Sequence, residues 1–198
     1  GSVQLKLNDD AFYTLMIGCS DMGTGCDTIL AQMAADCLGC EYDNIIVRGV
    51  DTDQSPYDSG SYASSTTYVT GMAVVKACEE MKRKICEEAA ALMGLSPKQV
   101  DFDGALISEK DDPENVLTLS DLVTRLQAGS GRIITATASN TSHVSPPPFM
   151  AGAAEVEIDL ETGKITPIDY VACVDCGTVI NSNLARVQTE GGLVQGIG

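Results

Sequence analysis

Two short apolar stretches open the chain. Val3 to Leu7 and Phe12 to Ile17 predict a pair of strands joined as a hairpin across Asn8-Asp9-Asp10. The period then changes. Ile29, Leu30, Met33, Ala34, Cys37 and Leu38 recur at helical spacing, and Gly39 stops the amphipathic helix they predict. Ile45 to Val50 reads as a short buried strand. Val69, Ala73, Ala77, Met81, Ile85 and Ala89 form the stripe of a long helix from about Ser64 to Met93, ended by Gly94, and Ser96-Pro97 restarts the chain as a helix cap with proline behind it. Phe102 to Ser108 predicts a strand, Asp111-Asp112-Pro113 a turn, Ser120 to Gln127 a short helix and Arg132 to Ala138 another strand. Beyond the proline run, Ala153 to Leu160 and Ile165 to Val174 predict a second hairpin across Glu161-Thr162-Gly163, and a helical pattern returns at Leu184. Hairpins mixed with helices predict an α+β fold of layered mixed sheets and helices rather than regular βαβ alternation. The expected organisation is an α+β unit over 1–138, a Pro-rich linker or loop over 139–148, and a strand hairpin with the start of a Gly-rich helix over 149–198, truncated at its C-terminus.

Charge narrows the class of partner. Among 198 residues, 12 Lys+Arg face 28 Asp+Glu, a formal net charge of −16. That argues against nonspecific nucleic-acid binding and against an anionic membrane surface, since both need a basic face. No apolar run approaches a membrane span and no signal peptide opens the chain, so a cytoplasmic location is expected. The start at Gly1-Ser2 without methionine and the stop at Gly196-Ile197-Gly198 without a cap read as an excised piece of a longer polypeptide. His143 is the single histidine, which excludes His-rich metal sites. Eight cysteines are expected as reduced thiols. Cys37-Leu38-Gly39-Cys40 and Cys173-Val174-Asp175-Cys176 nominally make a four-cysteine zinc set, but they stand too far apart for a finger, and Cys37 and Cys173 fall within apolar patterns where cysteine packs as a small hydrophobe. The metal expectation is therefore none, and a noncatalytic zinc-stabilised assembly module is the competing class.

Two loops are candidates for holding an anion. Gly23-Thr24-Gly25 precedes the first helix, where glycines admit close backbone approach and the helix start carries partial positive charge. The run from Gly60 to Thr67 opens the long helix with several hydroxyls and free first-turn N–H groups. On the residues alone, plain helix capping and a tight turn account for both loops better than a bound anion does, and neither matches a P-loop or the full dinucleotide fingerprint. Near the end, Gln188, Glu190 and Gln195 accompany Gly191-Gly192. Glycines within a helix cost about 1 kcal/mol each, a hint that backbone approaches something closely there.

Taken in order, these runs resemble the molybdopterin-binding large subunit of the xanthine dehydrogenase/aldehyde oxidase family of molybdenum hydroxylases. The matching segments are Asp21 to Gln32, Asp51-Thr52-Asp53 through Tyr57 to Ser64 and on to Tyr68-Val69-Thr70-Gly71, Ala154 to Asp159 with Glu161-Thr162-Gly163, Asp175-Cys176-Gly177 with Ile180-Asn181, and Gln188 to Gly198. The resemblance implies a cofactor-binding piece of an enzyme that oxidises an electron-poor carbon with water as the oxygen source. The implied substrate is first a xanthine-type purine, second a nicotinate-like N-heterocycle, or else an aldehyde. A hydroxybenzoyl-CoA reductase-like member is the alternative within the family. The implied cofactor is molybdopterin cytosine dinucleotide with molybdenum. Iron–sulfur (2Fe-2S) and FAD subunits or domains are the implied partners.

Residue by residue, the resemblance assigns pterin contact to the turn containing Gly23, Thr24 and Gly25, with Thr24 standing where the family has glutamine. Ala63 matches the small residue beside the metal centre and substrate, and Tyr62 lies next to the substrate region. Ser61, Ser64 and Thr66 match the hydroxyl-rich turn at the cofactor, and Gln188 a glutamine that hydrogen-bonds the pterin. No catalytic residue falls within these 198 positions. The general-base glutamate is expected downstream of Gly198, so the piece alone is expected to be inactive.

Overall fold

The first layer follows from alternation. In the computed structural model, which describes residues 1–198, β1 (Ser2–Leu7) pairs antiparallel with β2 (Tyr13–Ile17), setting Val3 opposite Ile17, Leu5 opposite Leu15 and Leu7 opposite Tyr13. These six are buried, whereas the intervening Gln4, Lys6, Thr14 and Met16 are half-exposed, so the sheet has one dry face. The sheet is completed by β3 (Ile45–Arg48), parallel to β2, and β7 (Thr135–Ser139), antiparallel to β1, in the order β3-β2-β1-β7. A single βαβ crossover through α1 (Cys26–Leu38) therefore sits within an otherwise antiparallel arrangement.

Helix α2 (Thr66–Met93) packs on α1, β1 and β7. Of its expected stripe, Ala73, Ala77, Met81, Ile85 and Ala89 are buried and Val69 is half-buried. Small side chains let the two helices close together: a Cβ on Gly71 would lie 2.7 Å from the Met33 side chain. The helix begins at Thr66 rather than Ser64, because Ser64 has a left-handed φ of 53°.

A second sheet of β4 (Val100–Phe102), β5 (Leu106–Glu109) and β6 (Val116–Thr118) precedes α3 (Leu119–Ser130) and adds Val100, Phe102, Ile107 and Leu117 to the same core. Here the expected single strand over Phe102–Ser108 is two strands. The Asp103 carboxylate accepts from the N–H groups of Ala105 at 2.9 Å and Leu106 at 2.8 Å, turning the chain at Gly104 with φ of 114°. Glycine is required at that turn, because a Cβ would fall 2.0 Å from the Gly39 carbonyl oxygen. The short helix is longer than expected, and β7 starts three residues later than the apolar pattern suggests.

The chain divides into two compact units, Gly1–Ser142 and His143–Gly198. In the second, β8 (Phe149–Ile158) and β9 (Ile165–Asp175) form an antiparallel hairpin with an irregularity at Glu155/Val156, followed by α4 (Ser182–Ile197), whose cap Asn181 accepts from the Leu184 N–H at 3.0 Å. No side chain of this unit is buried, so its alternation makes strands without making a core. The α+β expectation holds, with four helices and three sheets. No helix is long and apolar enough to cross a membrane.

Candidate functional site

The same short turn occurs three times in the matched loops. In Asp21-Met22-Gly23, Asp58-Ser59-Gly60 and Asp175-Cys176-Gly177, the carboxylate accepts from the glycine N–H two residues on, at 2.9 Å each time. The glycines have φ of 97°, 117° and 77°, the left-handed region in which these side-chain-closed turns favour glycine.

After the first turn the carboxylate keeps working on its own loop. Asp21 also accepts from Gly25 N–H at 3.2 Å and Asp27 N–H at 3.4 Å. It thereby caps α1, whose N-cap position is Gly25 and has no side chain to do so. Partial desolvation opposes its ionisation, but the backbone N–H groups of Gly23, Gly25, Asp27 and Thr24 outweigh that and hold the Asp21 carboxyl below the usual range. The donors of Gly23-Thr24-Gly25 thus already hold an anion, and it belongs to the protein. Asp21, Cys26 and Asp27 bring their ligand atoms within 4.8 Å of one another. Burial, then neighbouring Cys19 and the two carboxylates, push the Cys26 thiol far up, so it is a protonated donor to Asp27 at 3.6 Å and not a thiolate ligand.

After the second turn the carboxylate is committed elsewhere. Asp58 Oδ2 accepts from the Thr70 hydroxyl at 3.2 Å, one turn inside α2. Gly18 makes room for this loop: a Cβ there would lie 2.3 Å from the Pro56 carbonyl oxygen and 2.7 Å from the Asp58 side chain. Ala63 and Ser64 then take left-handed φ of 54° and 53°, a conformation that costs a non-glycine residue roughly 1–2 kcal/mol, and this pair delays the helix to Thr66. Ser65, at the cap, makes no capping bond and instead donates its hydroxyl to the Tyr62 carbonyl at 2.8 Å. No acidic residue stands in the first turn. The N–H groups of Thr66, Thr67 and Tyr68, and the hydroxyls of Ser64, Thr66 and Thr67, have no acceptor within the protein.

The two loops meet. Ser61 donates its hydroxyl to the Ser20 carbonyl oxygen at 2.7 Å, tying Gly23, Thr24 and Gly25 to the neighbourhood of Ser61, Tyr62, Ala63, Ser64 and Thr66. Tyr62, Ala63 and Ser64 are exposed, and Ser61 and Thr66 are half-buried. Gln188 stands on α4 of the second unit, its exposed side chain making no hydrogen bond within the protein. The residues that the sequence reading left without a role are Asp21 and Asp58, and the Asp-x-Gly spacing is the signal that marks them. All eight cysteines are free thiols; Cys37 and Cys40 are half-buried in the first unit, and Cys173 and Cys176 are exposed in the second.

Comparison with known proteins agrees with this frame. The sequence matches the molybdopterin cofactor-binding domain over residues 1–198. Over 98% of its length it is 31% identical to the probable hypoxanthine oxidase of Escherichia coli, of which it covers 20%. Among solved structures, CO dehydrogenase from Oligotropha carboxidovorans aligns with a TM-score of 0.82 and 27% identity, over 97% of this chain and 24% of that one. Quinoline 2-oxidoreductase from Pseudomonas putida 86 aligns with a TM-score of 0.80 and 25% identity, over 96% of this chain and 25% of that one. The chain spans about a fifth to a quarter of the length of these relatives. On its matched length and its shared fold, the chain belongs to the molybdopterin cofactor-binding domain family.

Proposed function

We propose that residues 1–198 form part of the cradle of a molybdenum–pterin cofactor in a molybdenum hydroxylase acting on an N-heterocycle, a xanthine-type purine first and a nicotinate-like ring second. The start of α2 carries this reading. Three first-turn N–H groups and three hydroxyls stand without acceptors beside a strained left-handed pair, in a chain of net charge −16. Such a donor set suits an anion that the protein does not supply itself. It suits the phosphate of a molybdopterin in particular, because neutral donors hold the anion without basic side chains. The Gly23-Thr24-Gly25 turn fits less directly, since Asp21 has taken its N–H groups, and its contribution to binding is the shape of the loop and the Thr24 side chain.

When bound, the cofactor supplies two-electron redox chemistry at its metal. Within the chain, the N–H groups of Thr66 to Tyr68 with the Ser64 and Thr66 hydroxyls grip its anionic end, and Ser61 holds their loop to Ser20. Ala63 keeps the space beside the reacting centre open because its side chain is one methyl. Tyr62, exposed, offers a ring face to a flat substrate. Gln188 presents an amide able both to donate to and accept from a pterin edge. On this reading a cytosine dinucleotide form of the cofactor, iron–sulfur and FAD partners and a proton-moving glutamate outside these residues would complete the enzyme, in the cytoplasm. The purine-first order is supported by the hypoxanthine oxidase relative and the N-heterocycle class by the quinoline enzyme.

The test uses the full polypeptide with its co-purifying subunits, from a host that makes the cofactor. Stoichiometric molybdenum, cytidine monophosphate on acid hydrolysis, and hypoxanthine- or xanthine-dependent dye reduction with oxygen taken from labelled water are expected. Protein lacking molybdenum would overturn the reading. Ala63→Val is expected to abolish turnover and Gln188→Ala to lower molybdenum occupancy; wild-type values in both would remove these residues from the site.

A further inference from the structure

The loop that leads into α2 is bracketed by one buried carboxylate. Asp58 Oδ1 accepts from the Gly60 N–H at 2.9 Å, ahead of the left-handed pair Ala63-Ser64, and Asp58 Oδ2 accepts from the Thr70 hydroxyl at 3.2 Å, one turn inside the helix. The Asp58 side chain is only 4% exposed, and Thr70 is buried as well. No lysine, arginine or histidine side chain pairs with this carboxylate; the Gly1 amino group stands 3.9 Å away. A carboxylate is costly to bury without hydrogen-bond partners, so each of its two bonds resists rupture. Both ends of the bracket are fixed. Gly18 admits Asp58, and Thr70 lies between the Val69 carbonyl, which accepts from the Asn140 side chain at 3.2 Å, and Gly71, packed on Met33.

The bracket holds a conformation that the chain would otherwise leave. Ala63 and Ser64 are exposed, so packing does not keep them at left-handed φ of 54° and 53°, which non-glycine residues retain only where the surroundings over-determine it. The helical pattern of the sequence runs back to Ser64, and a right-handed pair would let the helix follow it. The Thr67 N–H would then bond the Ala63 carbonyl, and the Tyr68 N–H the Ser64 carbonyl, as in any α-helix. Instead the first such bond runs from the Val69 N–H to the Ser65 carbonyl at 2.8 Å. Ser65 adds a local clasp, its hydroxyl and its N–H both donating to the Tyr62 carbonyl, at 2.8 and 3.2 Å.

We propose that Asp58 and Thr70 are positioning residues that keep the start of α2 unwound, so that its N–H groups stay open to the anionic end of the cofactor. The ligand named here rests on the cofactor reading above; the unwinding does not. Neither residue needs to touch the cofactor, because both act through Ala63-Ser64. Loss of the Thr70 hydroxyl frees one end of the bracket, the pair relaxes to the right-handed region, and α2 itself takes up the N–H groups of Thr67 and Tyr68. A bound anion and a fully wound helix start therefore compete for the same donors, and the bracket sets that balance toward the anion.

Hydrogen exchange read by mass spectrometry with residue-level fragmentation tests the helix start directly, on the full polypeptide from molybdenum-starved cells. In the wild type the amides of residues 66–68 are expected to exchange as an open loop does, while those from Val69 to Met81 are protected. That measurement needs no variant, and protection of 66–68 would overturn the proposal. Thr70→Val keeps the branched shape without the hydroxyl, and exchange over 66–68 is expected to slow at least about threefold, the reverse of what a merely loosened structure gives. Thr70→Ser keeps the hydroxyl and is expected to match the wild type. In the full polypeptide with its subunits, from a host that makes the cofactor, molybdenum per polypeptide is expected to fall at least about fivefold in Thr70→Val and to hold in Thr70→Ser. Exchange unchanged or faster in Thr70→Val, or slowed exchange with undiminished molybdenum, would also overturn it. Wild-type protein without molybdenum would remove the cofactor reading instead, and the exchange arm would still decide on the bracket.

Discussion

Helices α1 and α2 both begin after an Asp-x-Gly turn, yet they begin in opposite electrostatic states. At α1 the turn-forming carboxylate also reaches the helix: Asp21 accepts from Gly23, Gly25 and Asp27, and the start is neutralised from within. At α2 the left-handed pair Ala63-Ser64 intervenes, Asp58 is drawn to Thr70 instead, and three first-turn N–H groups are left without an acceptor in the protein. One local motif therefore has two outcomes, decided by the few residues between the aspartate and the helix. A glycine-rich loop ahead of a helix is a binding site only where the protein has not already filled it.

The sharpest test makes the second start resemble the first. Ser65→Asp places a carboxylate over the first turn of α2, where the helix dipole favours it by about 0.3–1 kcal/mol. Folding stability is expected to hold or rise, while molybdenum per polypeptide falls at least about tenfold, since the carboxylate competes with the cofactor's own negative charge. Undiminished molybdenum in metal analysis would break the comparison outright. The reciprocal change, Asp21→Ala, strips α1 of its cap and is expected to cost about 1–2 kcal/mol in denaturant unfolding. A loss of stability without loss of molybdenum would confirm that Asp21 is structural; a gain in anion binding at this loop would show that its donors were masked.

How much of this was legible in advance differs between the two starts. The strands β1 and β2 and the α2 stripe follow from periodicity, because one dry face imposes it on every residue. The Asp-x-Gly turns are equally local and could be read from spacing alone. The direction in which each carboxylate continues could not. Asp58 reaches Thr70 and Ser61 reaches Ser20 only once β2, the loop and α2 have packed, with Gly18 admitting the contact. The second unit teaches the converse: alternation found its hairpin, with β8 starting four residues earlier and ending two earlier than expected, but with no side chain buried there the pattern says nothing about what those apolar faces meet.

The left-handed pair gives a smaller effect of opposite sign. Ala63→Gly removes the steric penalty at φ of 54° but frees the unfolded chain, so a net gain of up to about 1 kcal/mol is expected in thermal unfolding. A loss instead would mean that the Ala63 methyl makes contacts worth more than the strain. The same conformation disfavours a β-branched residue, so loss of turnover in Ala63→Val counts for the site only where folding stability and molybdenum content hold.

The smallest effect is the pH dependence of the α1 cap. Folding holds the Asp21 carboxyl below its usual range, so the folded state favours the ionised form. Its contribution is fully present above the ordinary carboxylate value near 4 and is lost as pH falls through the lower folded value. Asp21→Asn retains one acceptor oxygen but no charge. The gap in melting temperature between the two proteins is therefore expected to be constant from about pH 5 upward and to close in acid. A gap that persists unchanged at low pH would mean that the N–H groups of Gly23, Gly25 and Asp27 need only an oxygen and not a charge. The α1 start would then be satisfied by geometry alone, and its contrast with α2 would rest on the Ala63-Ser64 turn.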